Sequence, residues 1–319
     1  METLKPKFEL YRTRTFTEKL NDTISYLRDS WRPQLKYFIY LMLPCCMVLA
    51  FFMNHFWSGY MSFIMSADRL SSPADGAVHF LVNAGLMAIV FLSAYTLLVA
   101  LVYAMLRLYM VDSSRLDGLT AQELKPELLF CLRRSSVLML FSLAVGIAAL
   151  LILAGLLAGA FSVSAGFGLV SMVPLYAGLL VLFLPLMLMT PIYMIEDDVN
   201  VIAAFTKAFH LGFPTWGGIF ALTFIVGIIT SIVQMVTMGP WYVLFIIKMV
   251  FTLSKDLDGS FAHSVLFVCG EYATCVLQCL GMMLASAINL VALAIQYGHA
   301  SDKVDGMGLA EKIEQFGKY

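Results

Sequence analysis

Hydrophobic and polar positions fall into long blocks rather than short alternations. Reading from one charged residue to the next isolates six apolar runs, 37–57, 79–106, 137–161, 171–195, 217–238 and 266–297. About 20 such residues carry a helix across a hydrocarbon core of about 30 Å, where every backbone polar group must be satisfied within the protein. Runs of Leu, Ala, Val and Phe without period-two alternation favour helices over a closed barrel. Only a Gly/Ser-rich turn, SVSAGFG at 162–168, separates the third run from the fourth. A further apolar piece, WYVLFIIKMVFTLS at 241–254, carries Lys248 in its middle and is too short to cross. It is expected along the outer interface or as a partly re-entrant segment.

Between the runs the pattern changes to an amphipathic helical period. In TFTEKLNDTISYLRDSW (15–31), Phe16, Leu20, Thr23, Ile24, Leu27 and Trp31 share one face, with Lys19, Asp22, Arg28 and Asp29 elsewhere. Thr15 and Glu18 form a capping box, the threonine oxygen facing the amide of Glu18 and the carboxylate facing that of Thr15. TAQELKPELLFCLRRSS (120–136) opens in the same way with Thr120 and Glu123, and places Leu124, Leu128, Cys131, Leu132 and Ser135 on one side. In VNVIAAFTKAFHLGF (199–213) the shared face is Val201, Phe205, Ala208, Phe209 and Gly212. One such segment precedes each of spans one, three and five. The expected fold class is therefore all-α: a polytopic bundle of six transmembrane helices plus three cytoplasmic-side amphipathic helices, in three pseudo-repeats.

The acids Glu196, Asp197 and Asp198 stand where the threonine capping boxes stand in the first two units. Asp197 or Asp198 is expected as the N-cap of the third surface helix, where a carboxylate complements the positive helix end. A metal or catalytic role is disfavoured, because only His210 among His and Cys lies anywhere near.

Charge fixes orientation. Seventeen Lys and Arg fall in the segments on the side of the N-terminus and three, Arg69, Lys248 and Lys255, on the other. The positive-inside rule then places both termini in the cytoplasm of an inner-membrane protein. The domains follow as a cytoplasmic segment 1–36, a six-span domain 37–298 and a cytoplasmic tail 299–319, with a short helix expected at 309–316. About 36 mixed-charge residues precede the first run, so no cleavable signal peptide is expected. Composition agrees, at 61% hydrophobic and 13% charged with mean hydropathy +0.85. The net charge of −1 offers no basic footprint, and no nucleic-acid partner is expected. The six cysteines form no matched pair in an outer loop, so no disulfide framework is expected.

The polar residues inside the last two runs carry the remaining chemistry. Glu271, Gln278, Asn289 and Gln296 follow one helical line in span six, beside Cys275 and Ser286. In span five Thr223, Gly227, Thr230, Gln234 and Thr237 form a second stripe, and the two helices are expected to face each other. The stripes read either as interhelical hydrogen bonding or as a polar cavity with Glu271 as its ionisable group. Catalytic motifs such as H-E-x-x-H, G-x-S-x-G and phosphate-binding glycine loops are missing from the sequence, as is C-x-x-C. No metal and no cofactor are expected; the spacing Glu271, Cys275, Cys279 with Met282 and Met283 is read as packing. Trp57, Tyr60, Trp216, Trp241 and Tyr242 are placed in an interfacial belt, and Pro185 where span four opens.

The succession of short amphipathic helix and paired spans, with AFTKAFHLGFPTWGGIFAL (204–222) leading from one into the other, resembles the six-span membrane proteins related to the membrane domain of bacterial glycerophosphodiester phosphodiesterases. The resemblance implies the six-span fold. It carries no catalytic domain and no active-site residues onto this chain. The expected function is non-enzymatic: organising membrane lipids or a membrane partner through a cytoplasmic amphipathic collar, with the basic residues Lys5, Lys7, Arg12, Arg14 and Lys19 touching anionic headgroups. The alternative is a small transporter or channel using the polar stripes.

Overall fold

The structure, a computed structural model, describes residues 9–67, 73–111, 118–253, 264–309 and 313. Helices follow one another along the chain as α1 (Phe16–Ala67), α2 (Pro73–Val111), α3 (Ala121–Val163), α4 (Ala165–Leu186), α5 (Met189–Ile195), α6 (Val201–Gly212), α7 (Trp216–Leu253) and α8 (Val265–Asp305). Six helical segments among the described residues are long and apolar enough to cross a membrane, α4 and α5 together forming one of them. They fit a multi-pass integral membrane protein. The expected tail helix at 309–316 falls, apart from Leu309 and Ile313, outside the described residues.

Three expectations about element boundaries are corrected. The segment 15–31 does not turn into the first span: α1 is one helix of 52 residues, about 78 Å at 1.5 Å per residue. Likewise 121–136 is the start of α3, and only the third segment stands apart, as α6. The piece 241–253 continues α7 through Pro240 and is not a separate element. Helix is the cheapest way to satisfy an apolar backbone, so a run that starts helical stays helical until a turn signal ends it.

Span four breaks where its prolines lie. Pro185 and Pro191 each lack an amide donor, and the chain turns at 187–188 between α4 and α5. The gap takes α6: a β-carbon at Gly212 would stand 2.6 Å from Pro185 Cα, so the helices meet only because residue 212 has no side chain.

By packing, the described chain falls into two compact units. The first comprises residues up to Trp31, Val99–Val226, and Asn289 onward. Its centre is α8, where Leu290 to Tyr297 are all at most 7% exposed. Tyr103, Met105 and Leu106 of α2 and Leu188, Ile192 and Met194 around α5 are also fully buried, and the Tyr103 hydroxyl donates to the Leu290 carbonyl at 3.3 Å. Residues 9–14 lie as a strap across α8. A β-carbon at Gly298 would overlap the Leu10 carbonyl, one at Gly308 would overlap that of Tyr11, and the Arg14 amide donates to His299 Nδ1 at 2.9 Å.

The second unit comprises Arg32–Leu98 and Gly227–Ile288. In it the Tyr272 hydroxyl donates to the Met47 carbonyl at 2.7 Å, and Cys275 Sγ lies 3.7 Å from the Ala50 carbonyl oxygen. Trp241, expected in the interfacial belt, is only 2% exposed: its indole donates to Asn54 Oδ1 at 3.3 Å and it stacks on Phe245. The six cysteines are free thiols.

Candidate functional site

The first turns of α1 bury one polar line that the sequence placed away from the apolar face. Phe16 (39%), Ile24 (56%) and Trp31 (54%) are exposed, whereas Lys19, Thr23 and Ser30 are buried on the opposite side with Tyr26. The buried hydroxyls are satisfied within the helix, Thr23 donating to the Lys19 carbonyl and Ser30 to that of Tyr26. The exposed side of these turns is mixed, with Glu18, Asn21, Arg28 and Asp29 beside the large apolar side chains, as suits a helix that meets both headgroups and acyl chains.

The basic N-terminal residues are therefore not a free surface patch. Arg14 is 5% exposed and gives its donors to Asp22 at 2.7 Å and to the carbonyls of Glu9, Leu10 and Arg12, pinning the strap. Burial pulls its guanidinium below the ordinary value, and the Asp22 carboxylate opposes that shift. Arg12 also pairs with Asp22, at 2.9 Å. Lys5 and Lys7 lie outside the described residues.

Lys19 is 4% exposed, and its ammonium has no hydrogen bond or ion pair among the described residues; the charges that act on it are those of Lys303 and Arg14. Beside it is Gln296 of α8, fully buried, with neither Nε2 nor Oε1 partnered. Both side chains end against Gly218 in the first turn of α7. A β-carbon there would stand 3.3 Å from Gln296 Nε2 and 3.5 Å from Lys19 Nζ.

The acidic trio is an ion-pair hub of the same unit. Lys207 Nζ donates to both Glu196 oxygens at 2.7 and 3.0 Å, and the Tyr297 hydroxyl donates to Glu196 while accepting from Tyr11 at 3.3 Å. Arg107 joins Glu127 and Asp197 and reaches the carbonyls of Met194 and Ile195. Arg134 donates to the carbonyls of Glu196, Asp197 and Val199, with its guanidinium 4.3 Å from the Tyr193 ring centre. The expected caps Asp197 and Asp198 are corrected: α6 starts at Val201, so the cap is Asn200, whose Oδ1 accepts from the Ala203 amide at 2.8 Å. The other caps stand as expected, the Thr15 amide donating to Glu18 at 2.6 Å and that of Thr120 to Glu123 at 3.0 Å.

The polar stripes divide between the units. In the second unit Glu271 is 6% exposed and paired with Lys248, and Gln278 Oε1 is buried without a partner. Thr230 is buried and donates to the Gly227 carbonyl at 3.1 Å, while Gln234 is exposed and does not join the stripe. Asn289 is half-buried and belongs, with Gln296, to the first unit. Helices α7 and α8 face each other as antiparallel neighbours in each unit: Gly218 by Gln296 in the first, Thr237 by Gly281 and Leu244 by Gly270 in the second. Cys279 Sγ lies 3.9 Å from Met53 Sδ, among packing atoms.

Sequence reasoning found Gln296 but missed its companions. Lys19 was assigned to the outer face of a surface helix, although its i, i+4, i+11 line with Thr23 and Ser30 was visible. The doublet Gly217–Gly218 directly after Trp216 was the other available signal. Comparison with family models, with curated proteins and with solved structures gives no match to this chain.

Proposed function

We propose that this is a non-enzymatic integral membrane protein of the inner membrane, with both termini in the cytoplasm, that holds and organises lipid along its helices. One observation carries the reading: large apolar side chains are exposed along α1 from its first turn, from Phe16 through Ile24, Trp31, Leu35 and Ile39, while Lys19, Thr23 and Ser30 are buried. The hairpin of α3 and α4 supports it. Leu140, Ile147, Leu150, Leu151, Val170 and Val173 are each at least half exposed, a surface suited to acyl chains or to a partner helix.

The test is to extract the protein with its surrounding lipid in polymer discs and compare the lipid composition with that of the bulk membrane. Enrichment of one lipid class supports the reading. A composition equal to bulk, together with solute flux in proteoliposomes, replaces it with the transporter reading. That second reading has its own support in the buried Gln278 Oε1 and Gln296 amide on α8, which have no partner among the described residues.

A further inference from the structure

We propose that Lys19, Gln296 and Gly218 form a binding site for a phosphate-type oxyanion in the first unit. Three independent features meet there. A lysine on α1 is buried with no carboxylate within ion-pair distance among the described residues, and the cations Lys303 and Arg14 act on it. A glutamine on α8 is buried with both ends of its amide unpartnered. The residue against which both stand, on α7, has no side chain and is itself half-buried, so the two nitrogens are reached past a bare backbone.

Buried polar groups are normally hydrogen-bonded, and buried charges are normally paired. A water molecule would satisfy the Gln296 amide but would leave the ammonium uncompensated. A neutral lysine would remove the charge but leave the amide without a partner. An anionic oxygen in front of Gly218 compensates the ammonium and accepts from both Lys19 Nζ and Gln296 Nε2 in charge-assisted hydrogen bonds, leaving Gln296 Oε1 for a water or a protonated phosphate oxygen. Charges of both signs surround the site, with Asp22 and Asp302 among the cations. Arg14 adds positive charge while its donors are engaged with Asp22 and the strap. His299, one turn beyond Gln296, accepts the Arg14 amide at Nδ1, which leaves the proton of its neutral ring on Nε2. Lys303 follows one turn later.

A phosphodiester headgroup and free phosphate share this chemistry. The proposal does not rest on the lipid-organising reading, since a free anion satisfies the site equally.

The experiment uses the full chain, stripped of lipid in detergent, and follows binding by native mass spectrometry and by the thermal midpoint. Probes are phosphatidylglycerol, diacylglycerol as the same lipid without phosphate, and inorganic phosphate. The expected result is one equivalent of phosphatidylglycerol or of phosphate bound, none of diacylglycerol, and binding at least tenfold weaker in Lys19→Met and in Gly218→Ala. The second variant keeps both donors and fills the space in front of them, so its loss of binding does not depend on removing a charge. Lys36→Met, at an exposed position of α1, is expected to bind as the native chain does. Phosphatidylglycerol retained where phosphate is not identifies a headgroup site, and the reverse a free-anion site. Equal binding of phosphatidylglycerol and diacylglycerol with no phosphate bound, or binding unchanged in both variants, overturns the proposal.

Discussion

Lys248 Nζ lies 2.9 and 2.8 Å from the two carboxylate oxygens of Glu271, joining α7 to α8 inside the second unit. The carboxylate that stood out as the ionisable group of a polar path is thus held by a cation from the next helix. Removing one partner of a buried pair strands the other. Because Lys248 keeps 29% of its side chain exposed, Glu271→Gln or Lys248→Met is expected to cost about 3 kcal/mol, the lower end for such pairs. The double variant Lys248→Met/Glu271→Leu should recover most of that loss in equilibrium unfolding from mixed micelles. Additive losses would refute the pairing.

Arg134 ties α3 to the loop before α6 through three carbonyls at once. Arg134→Ala should destabilise by roughly 3 kcal/mol and open the 196–200 loop to protease. Lysine cannot reach three acceptors in one plane, so Arg134→Lys should restore less than half of the lost thermal midpoint. Full rescue by lysine would show that only the charge matters.

The position of the α6 cap separates two readings of the acidic loop. Asn200→Ala should cost about 1 kcal/mol, whereas Asp198→Ala, on an exposed side chain, should change stability by less than about 0.5 kcal/mol. Chemical denaturation of the two variants in parallel decides it, and the opposite ranking would restore the carboxylate as the cap.

Gly298→Ala should displace the strap, because the atom in its way is the Leu10 backbone carbonyl rather than a movable side-chain end. We expect a loss of about 1–3 kcal/mol and faster amide exchange at Arg14, whose N–H is held by His299. Gly178→Ala, in open space on α4, should be neutral or stabilise by up to about 1 kcal/mol. Unchanged exchange at Arg14 in the first variant would show that the strap tolerates the added methyl.

The six apolar helices were legible because a run of 20 apolar residues has few other fates in water or lipid. The faces of α3 were legible too: Leu124, Cys131 and Ser135 are buried as their spacing requires. At α1 the same periodicity is present, but Lys19 is buried rather than turned to the surface. A helical stripe does not say whether water or hydrocarbon lies outside it, and the burial of Lys19 under an exposed Ile24 settles that only in three dimensions. The Lys248–Glu271 pair was hidden for a related reason. A lysine inside an apolar run reads as an interruption of the span until its partner on the neighbouring helix is known.

Arg14 and His299 are 285 residues apart, and the strap closes on that contact, on Tyr297 and on the glycines at 298 and 308. During synthesis the segment that carries Arg14 must wait for nearly all of the chain to be made and inserted before its binding surface exists. The strap therefore cannot help to thread the early helices. It acts as a final latch, so a chain interrupted before α8 keeps its early segment loose for a protease to find.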